Sequence, residues 1–224
     1  MRVIAGKNKG KKLEALPGLA TRPTADRVKE ALFNMIQDRI PGAKVLDLFA
    51  GSGALGIEAL SRGAKHVTFV DNNREAIDVI KRNVTATQND PDSRVVYSDW
   101  IIFLQNAESY DIIFLDPPYQ LGYLDETVSM IIAKEAMALG GVIVCECSKD
   151  EDFEPSGFKK LKDSRYGKTK ILIFERQQAG DGEGKIPMIK IAENFDVPIE
   201  DAGTEEDSGE VRMHEEYSRV PREL

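Results

Sequence analysis

The turn Asp116-Pro-Pro-Tyr119 follows the apolar run Ile112-Ile-Phe-Leu115. Such a run reads as a buried strand, and two consecutive prolines end it, because neither donates to a sheet ladder and each restricts the residue before it. The result is a stiff, extended turn carrying an acid, carbonyls without competing N–H groups and an aromatic ring. A carboxylate and a carbonyl can accept hydrogen bonds from an exocyclic amine on a nucleobase, while a ring stacks on the face of the base. A tight turn closing a core strand is the plain alternative.

A second constellation precedes it. Lys44-Val-Leu-Asp-Leu-Phe-Ala-Gly-Ser-Gly-Ala-Leu-Gly56 predicts a short strand, a glycine-rich turn and a helix over 54–62. Gly51, Gly53 and Gly56 satisfy G-x-G-x-x-G, a spacing that also fits a dinucleotide phosphate loop. Asp47, at the strand end, would repel a pyrophosphate and attract a cation such as an ammonium or a sulfonium. The glycines let backbone approach a ligand closely. A second strand, His66-Val-Thr-Phe-Val-Asp71, ends in an acid placed to bond ribose hydroxyls or, alternatively, to cap the following helix. A third strand, over 94–99, ends at Asp99-Trp100, an acid and the only tryptophan. That pair suits the edge and face of a nucleobase, or equally a helix cap and a core aromatic.

These residues need elements to hold them. Strands and helices alternate from 44 to 147, with helices expected over 74–85, around 101–107 and over 123–138. Gly140-Gly141 is expected to turn into the strand 142–147. An antiparallel hairpin is expected over 158–165 and 168–175, around Tyr166-Gly167. The pattern predicts an α/β fold, Rossmann-like, with a mostly parallel seven-stranded sheet, a C-terminal antiparallel hairpin and a basic N-terminal hairpin. In an open sheet of this kind ligands bind outside the carboxyl ends of the strands. Upstream, an amphipathic helix runs from a cap at Thr24 through Val28, Ala31, Leu32, Met35 and Ile36 and ends at Pro41-Gly42.

The net charge of −8 is unevenly spread. Residues 177–224 carry thirteen acids and five bases, and the body before them is neutral. Within that body residues 1–44 carry ten bases and four acids. Three regions are therefore expected: a basic N-terminal hairpin and helix over 1–40, a core over 41–176 and an acidic, flexible tail over 177–224, largely disordered or loosely docked. Arg2, Lys7, Lys9, Lys11 and Lys12 cluster with one acid, Glu14, as a phosphate-facing hairpin would; a solvated surface hairpin is the alternative. No apolar stretch reaches membrane-spanning length and no cleavable leader is read, so a cytoplasmic protein is expected. Cys145 and Cys147 read as a buried reduced pair, and two cysteines with two histidines make no metal cluster.

Asp47-Leu-Phe-Ala-Gly-Ser-Gly53 resembles the S-adenosylmethionine-binding loop of class I methyltransferases, and Asp116-Pro-Pro-Tyr119 resembles their amino-methylating motif. Arg2-Val-Ile-Ala-Gly6, Thr21-Arg-Pro-Thr24 and Arg27-Val-Lys-Glu-Ala-Leu-Phe-Asn34 are more specific. Together they resemble the bacterial RsmD family, which methylates one guanine of small-subunit (16S) ribosomal RNA at N2. The likeness covers about residues 1–176; the acidic tail departs from it. It implies S-adenosylmethionine as cofactor, held by Asp47, Phe49, Ala50, Gly51, Ser52, Gly53, Asp71, Asn72, Asp99 and Trp100. It also implies catalysis by Asp116, Pro117, Pro118 and Tyr119, and RNA contacts from Arg2, Lys7, Lys9, Lys11, Lys12, Arg22 and Arg27. The expected partner is 16S rRNA within a partly or fully assembled small subunit, bound by a monomer without a metal.

Three rivals compete with this reading. Asp-Pro-Pro-Tyr also serves DNA adenine, DNA cytosine and protein glutamine acceptors, although the chain has no separate DNA-recognition domain. A nicotinamide-dependent dehydrogenase would explain the glycines but neither Asp47 nor the proline turn. A non-catalytic RNA-binding assembly factor would not need an intact Asp116 turn.

Overall fold

A computed structural model of the chain describes residues 1–16, 23–117, 123–151 and 153–177. Seven strands form one sheet: β1 (Lys44–Asp47), β2 (His66–Asp71), β3 (Ser93–Tyr97), β4 (Tyr110–Leu115), β5 (Met137–Ser148), β6 (Phe158–Tyr166) and β7 (Thr169–Arg176). Their order is β3-β2-β1-β4-β5-β7-β6. The first five are parallel to one another, and β7 runs antiparallel to both β5 and β6. The expected mixed sheet and closing hairpin are present.

The central strands are apolar on both faces because helices cover both. On one face, α1 (Pro23–Met35), α2 (Ala54–Ser61) and α3 (Arg74–Ala86) pack Leu32, Phe33, Ile57, Leu60, Ile77 and Ile80 onto Val45, Ile112, Phe114 and Val144. On the other, α4 (Trp100–Gln105) and α5 (Tyr123–Ala133) bring Trp100, Leu104, Leu124, Val128 and Ile131 against Leu46, Ile113, Leu115, Ile143 and Cys145. The faces alternate residue by residue along each strand, so the strand register decides which side chains meet at the sheet's carboxyl edge.

Several boundaries differ from the sequence expectation. The helix expected over 123–138 stops at Ala133, where Glu135 takes φ +54° and the Ala136 N–H bonds back to the Ile131 carbonyl. Buried Met137 then opens β5 opposite Tyr110, so Gly140 and Gly141 lie inside the strand, at a shift of register, rather than ahead of it. Thr24 is not the cap of α1: the helix starts at Pro23, whose fixed φ and missing N–H suit a first helical position. That helix stops at Met35, and a 3-10 turn over Gln37–Arg39 separates it from Pro41-Gly42. No helix among the described residues is long and apolar enough to cross a membrane.

The N-terminal hairpin closes by one antiparallel bridge, Arg2 to Lys12, and is held to the core by buried groups. Glu58 on α2 is fully buried and accepts from the N–H groups of Ile4 (2.7 Å) and Ala5 (2.9 Å) and from Arg62 Nε (2.8 Å). Lys29 of α1 stands 3.5 Å from the same carboxylate and donates to the Arg2 carbonyl. One acid thus joins the hairpin, α1 and α2. Gly6, at φ +79°, lies so close to α2 that a Cβ there would sit 1.8 Å from the Ser61 carbonyl oxygen. Only glycine fits that approach.

Candidate active site

The loop after β1 is organised by two carboxylates. Asp47 is buried at 2% exposure, and its Oδ2 accepts from the Gly56 N–H at 2.9 Å. Asp71 accepts from the Gly51 N–H at 2.7 Å and from the Asn73 N–H at 2.9 Å. The alternative reading of Asp71 as the cap of α3 is not realised: Asn73 is the cap and accepts from the Glu75 N–H. Gly51 and Gly53 take φ +54° and +76°, which branched residues resist. A Cβ on Gly56 would come within 2.2 Å of the Phe69 ring, so the third glycine lets α2 press against β2. A Cβ on Gly51 would meet only Leu16, at 4.0 Å, leaving a cradle open to a ligand.

Asp47 sets the electrostatics of that cradle. Burial is the main cause that pushes its pKa up to about 7; the Gly56 N–H opposes this and the Asp71 charge adds to it. Among the described residues no ion pair reaches Asp47. A buried carboxylate without a cation, beside a glycine cradle and a second acid, fits a ligand with a cationic amino-acid end and a ribose. The residues present therefore suit S-adenosylmethionine.

Asp99 caps α4, its Oδ1 accepting from the Ile101 N–H at 2.9 Å. Trp100 is buried, its ring 6.5 Å from the half-buried Phe49, so the cap and the core aromatic weighed for this pair are both realised. Asn72 is exposed beside Asp71. Asn83 of α3, buried, donates to the Ser52 carbonyl (3.0 Å) and the Glu14 carbonyl (2.9 Å) and accepts from the Glu14 N–H (2.8 Å). It thereby binds the glycine loop to the hairpin, a role that its place in an amphipathic helix did not announce.

Asp116 directly follows β4, one step past the ladder pair Leu115–Cys145, and Pro117 beside it is buried. The Asp116 carboxyl is open to solvent on one side and crowded by protein on the others. Desolvation, then the charges of Glu146 and Asp47, push its pKa well above the ordinary carboxylate range; solvent on the open side tempers this. Glu146 on β5 is the residue sequence reasoning missed. It sits in an apolar strand with no motif around it, and burial raises its pKa too. Pro118 and Tyr119 lie outside the described residues.

Of the expected RNA-facing cations, Arg2, Lys7, Lys9, Lys12 and Arg27 are exposed. Arg2 pairs with Asp26 at 3.2 Å, and Lys7 approaches Asp92 at 3.8 Å. Lys11 is half-buried and donates to the Ala86 carbonyl at 3.1 Å, which ties it to the end of α3. Arg22 and the tail 178–224 lie outside the described residues. Cys145 and Cys147 are free and buried on one face of β5, their thiol pKa values raised by burial, Cys147's to about 11.

A family model described as Conserved hypothetical protein 95 matches residues 1–175. YlbH of Bacillus subtilis is 38% identical over 183 residues, 79% of this chain and 100% of YlbH. Ribosomal RNA small subunit methyltransferase D of Escherichia coli K12 is 33% identical over 186 residues, 82% of this chain and 93% of that protein. The solved structure of yhhF from Escherichia coli superposes with a TM-score of 0.72 at 36% identity, over 80% of this chain and 99% of that one.

Proposed function

Because the chain belongs to the RsmD family of methyltransferases, we propose that it transfers a methyl group from S-adenosylmethionine to the exocyclic N2 of a guanine in small-subunit ribosomal RNA. The observation that carries the chemistry is Asp116 at the carboxyl end of β4, on the strand beside the one bearing Asp47 and the glycine loop. Bound S-adenosylmethionine supplies an electrophilic methyl on a sulfonium, and its transfer to nitrogen leaves the sulfur neutral. Asp47 answers the cationic end of that molecule, Asp71 the ribose, and the Gly51–Gly53 backbone its close approach. Asp99 and Trp100 flank the place of the adenine.

A guanine amine is a poor nucleophile because its lone pair is delocalised into the ring. In this reading Asp116 and the Pro117 carbonyl accept its two N–H groups, which favours a pyramidal nitrogen and holds it in line with the methyl. Tyr119 stacks on the base. The extra proton passes to Asp116 or to water. The guanine is unstacked from its surroundings to reach the turn. Guanine is favoured by the resemblance of Arg2–Gly6 and of residues 21–34 to the family. A cytoplasmic monomer acting on a partly or fully assembled subunit, with the hairpin and helix of 1–40 towards RNA, completes the proposal.

The test incubates the protein with methyl-labelled S-adenosylmethionine and small-subunit particles from cells lacking the enzyme, followed by digestion to nucleosides. Labelled N2-methylguanosine is expected. Label in N6-methyladenosine or N4-methylcytidine, or cofactor binding with no label in RNA, overturns the reading.

A further inference from the structure

The carboxyl edge of the sheet carries more acid than amine orientation requires. Along β1, Val45 packs on the face covered by α1, α2 and α3, and by alternation so does the position of Asp47. Along β4, Ile112 and Phe114 use the same face, and Asp116 is next in that series. Along β5, Val142 and Val144 use it, and Glu146 is next; its partner on β7, Ile171, packs in the same core. The register pairs Phe114 with Val144 and Leu115 with Cys145, so Asp116 and Glu146 stand level on adjacent strands. Asp47, opposite Phe114, sits one alternation below them. Three carboxylates on three neighbouring strands thus converge on one face at the end where ligands bind. The mutual electrostatics agree, because Glu146 and Asp47 both act on Asp116.

An ionised carboxylate only accepts hydrogen bonds. Asp116 takes up the exocyclic amine. The group beside that amine on the same edge differs between the possible acceptors. In guanine it is N1–H, a donor. In adenine it is N1 and in cytosine N3, both bare acceptors, and in a glutamine side chain it is a carbonyl oxygen. A second carboxylate next to Asp116 therefore completes guanine's edge of consecutive donors and opposes each of the others.

We propose that Glu146 reads the N1–H of the target guanine and so selects guanine over adenine, cytosine and glutamine. The assignment rests on the reading of guanine N2 as the methyl acceptor and adds the residue that enforces it. Lone-pair repulsion between Glu146 and a bare ring nitrogen rejects the wrong base, since a mismatched buried polar group costs more than a missing contact. Pairing with N1–H also removes part of the repulsion between Glu146 and Asp116, and the right base is thereby the one that relieves the cluster.

2-Aminopurine separates these ideas, because it keeps the exocyclic N2 amine and has a bare N1. Reconstituted small-subunit particles carry guanine or 2-aminopurine at the methylated position, and kcat/KM is measured for each. The wild-type protein is expected to prefer guanine by about 10- to 100-fold. Glu146→Gln, whose amide N–H donates to a bare N1, is expected to slow guanine, speed 2-aminopurine and bring the ratio near or below one, with cofactor affinity retained. Glu146→Ala is expected to slow guanine without that gain on 2-aminopurine. Equal wild-type rates on the two bases overturn the assignment, as does a Glu146→Gln variant that slows both equally. If that variant does not fold, the wild-type ratio alone decides. Failure of the underlying function shows separately, as a wild-type product on guanine particles other than N2-methylguanosine.

Discussion

Replacing Asp47 by asparagine should make the cofactor-free protein more stable at alkaline pH while weakening its hold on the cofactor. The Asp47 carboxyl is buried, bonded to one backbone N–H and lifted to about pH 7, against an ordinary value of 3.8. A raised acid pKa means that the folded state holds its proton more tightly than the unfolded chain. The stability from this group is fully present below the unfolded pKa and is lost as pH rises towards about 7. Asparagine does not titrate, and its amide oxygen can still accept from Gly56. The stability gap between variant and wild type should therefore widen between pH 5 and pH 8. About two pKa units lie in that window, worth roughly 2–3 kcal/mol, or about 4–12 °C in melting temperature for a domain of this size. Other titrating groups are common to both proteins and cancel in the difference. Thermal melts of both proteins at pH 5 and pH 8 give the gap directly, and calorimetric titration with S-adenosylmethionine at pH 8 gives the affinity, expected to fall about 10- to 100-fold. Melting curves that shift in parallel at the two pH values would refute the picture of Asp47 as a strained carboxylate waiting for a cation.

Asp116→Ala should abolish methyl transfer and leave cofactor affinity within a few-fold of wild type; surviving turnover would remove Asp116 from the amine. Since Asp47, Asp116 and Glu146 all have raised pKa values and act ionised, kcat/KM should rise with pH as they lose their protons, with a log–log slope steeper than one at the acid end. A slope of one or less in a stopped pH series would show that a single group controls the step. Glu58→Ala leaves Lys29 and Arg62 without their shared partner and frees two hairpin N–H groups, so urea unfolding should report a loss of roughly 3–5 kcal/mol, and a loss below about 1 kcal/mol would mean the hairpin is held elsewhere. Changing Lys7, Lys9 and Lys12 together to glutamine should lower the salt slope of RNA binding by roughly 2, whereas an unchanged slope would turn that face away from phosphate.

Contiguous signals were legible in the chain itself. Apolar runs marked β1, β2 and β4, because strands covered on both faces have no polar side to show. The glycine spacing marked the loop after β1, since positive φ and close helix packing both demand glycine locally. The Asp-Pro turn announced the end of β4, because proline acts on its immediate neighbours. The charge segregation between residues 1–44 and 177–224 is likewise a property of the chain alone. Less local features were misread. Gly140 and Gly141 looked like a turn ahead of the strand; Gly140 does take φ +74°, but the strand already opens at Met137, and both glycines sit in the shift of register between the pairs Tyr110–Met137 and Ile112–Val142. Met137 looked helical and opens β5, because the core beneath Tyr110 needed it there. Lys11 read as one of the phosphate-facing cations, and only the fold shows that its ammonium also bonds to the Ala86 carbonyl at the end of α3, 75 residues away in sequence.

The tertiary structure alone decided that Asp47, Asp116 and Glu146 share one face of one edge. Each residue's alternation is local, but which strand lies beside which is set by lateral pairing across distant segments, and no single segment encodes it. The same holds for Glu58 and Asn83, ordinary helix positions until the hairpin's N–H and carbonyl groups arrive from more than fifty residues away. Sequence determined which chemical groups were available and the local geometry of the turns that carry them. Packing determined which of those groups lost their water and met one another, and burial gave the carboxylates their raised pKa values.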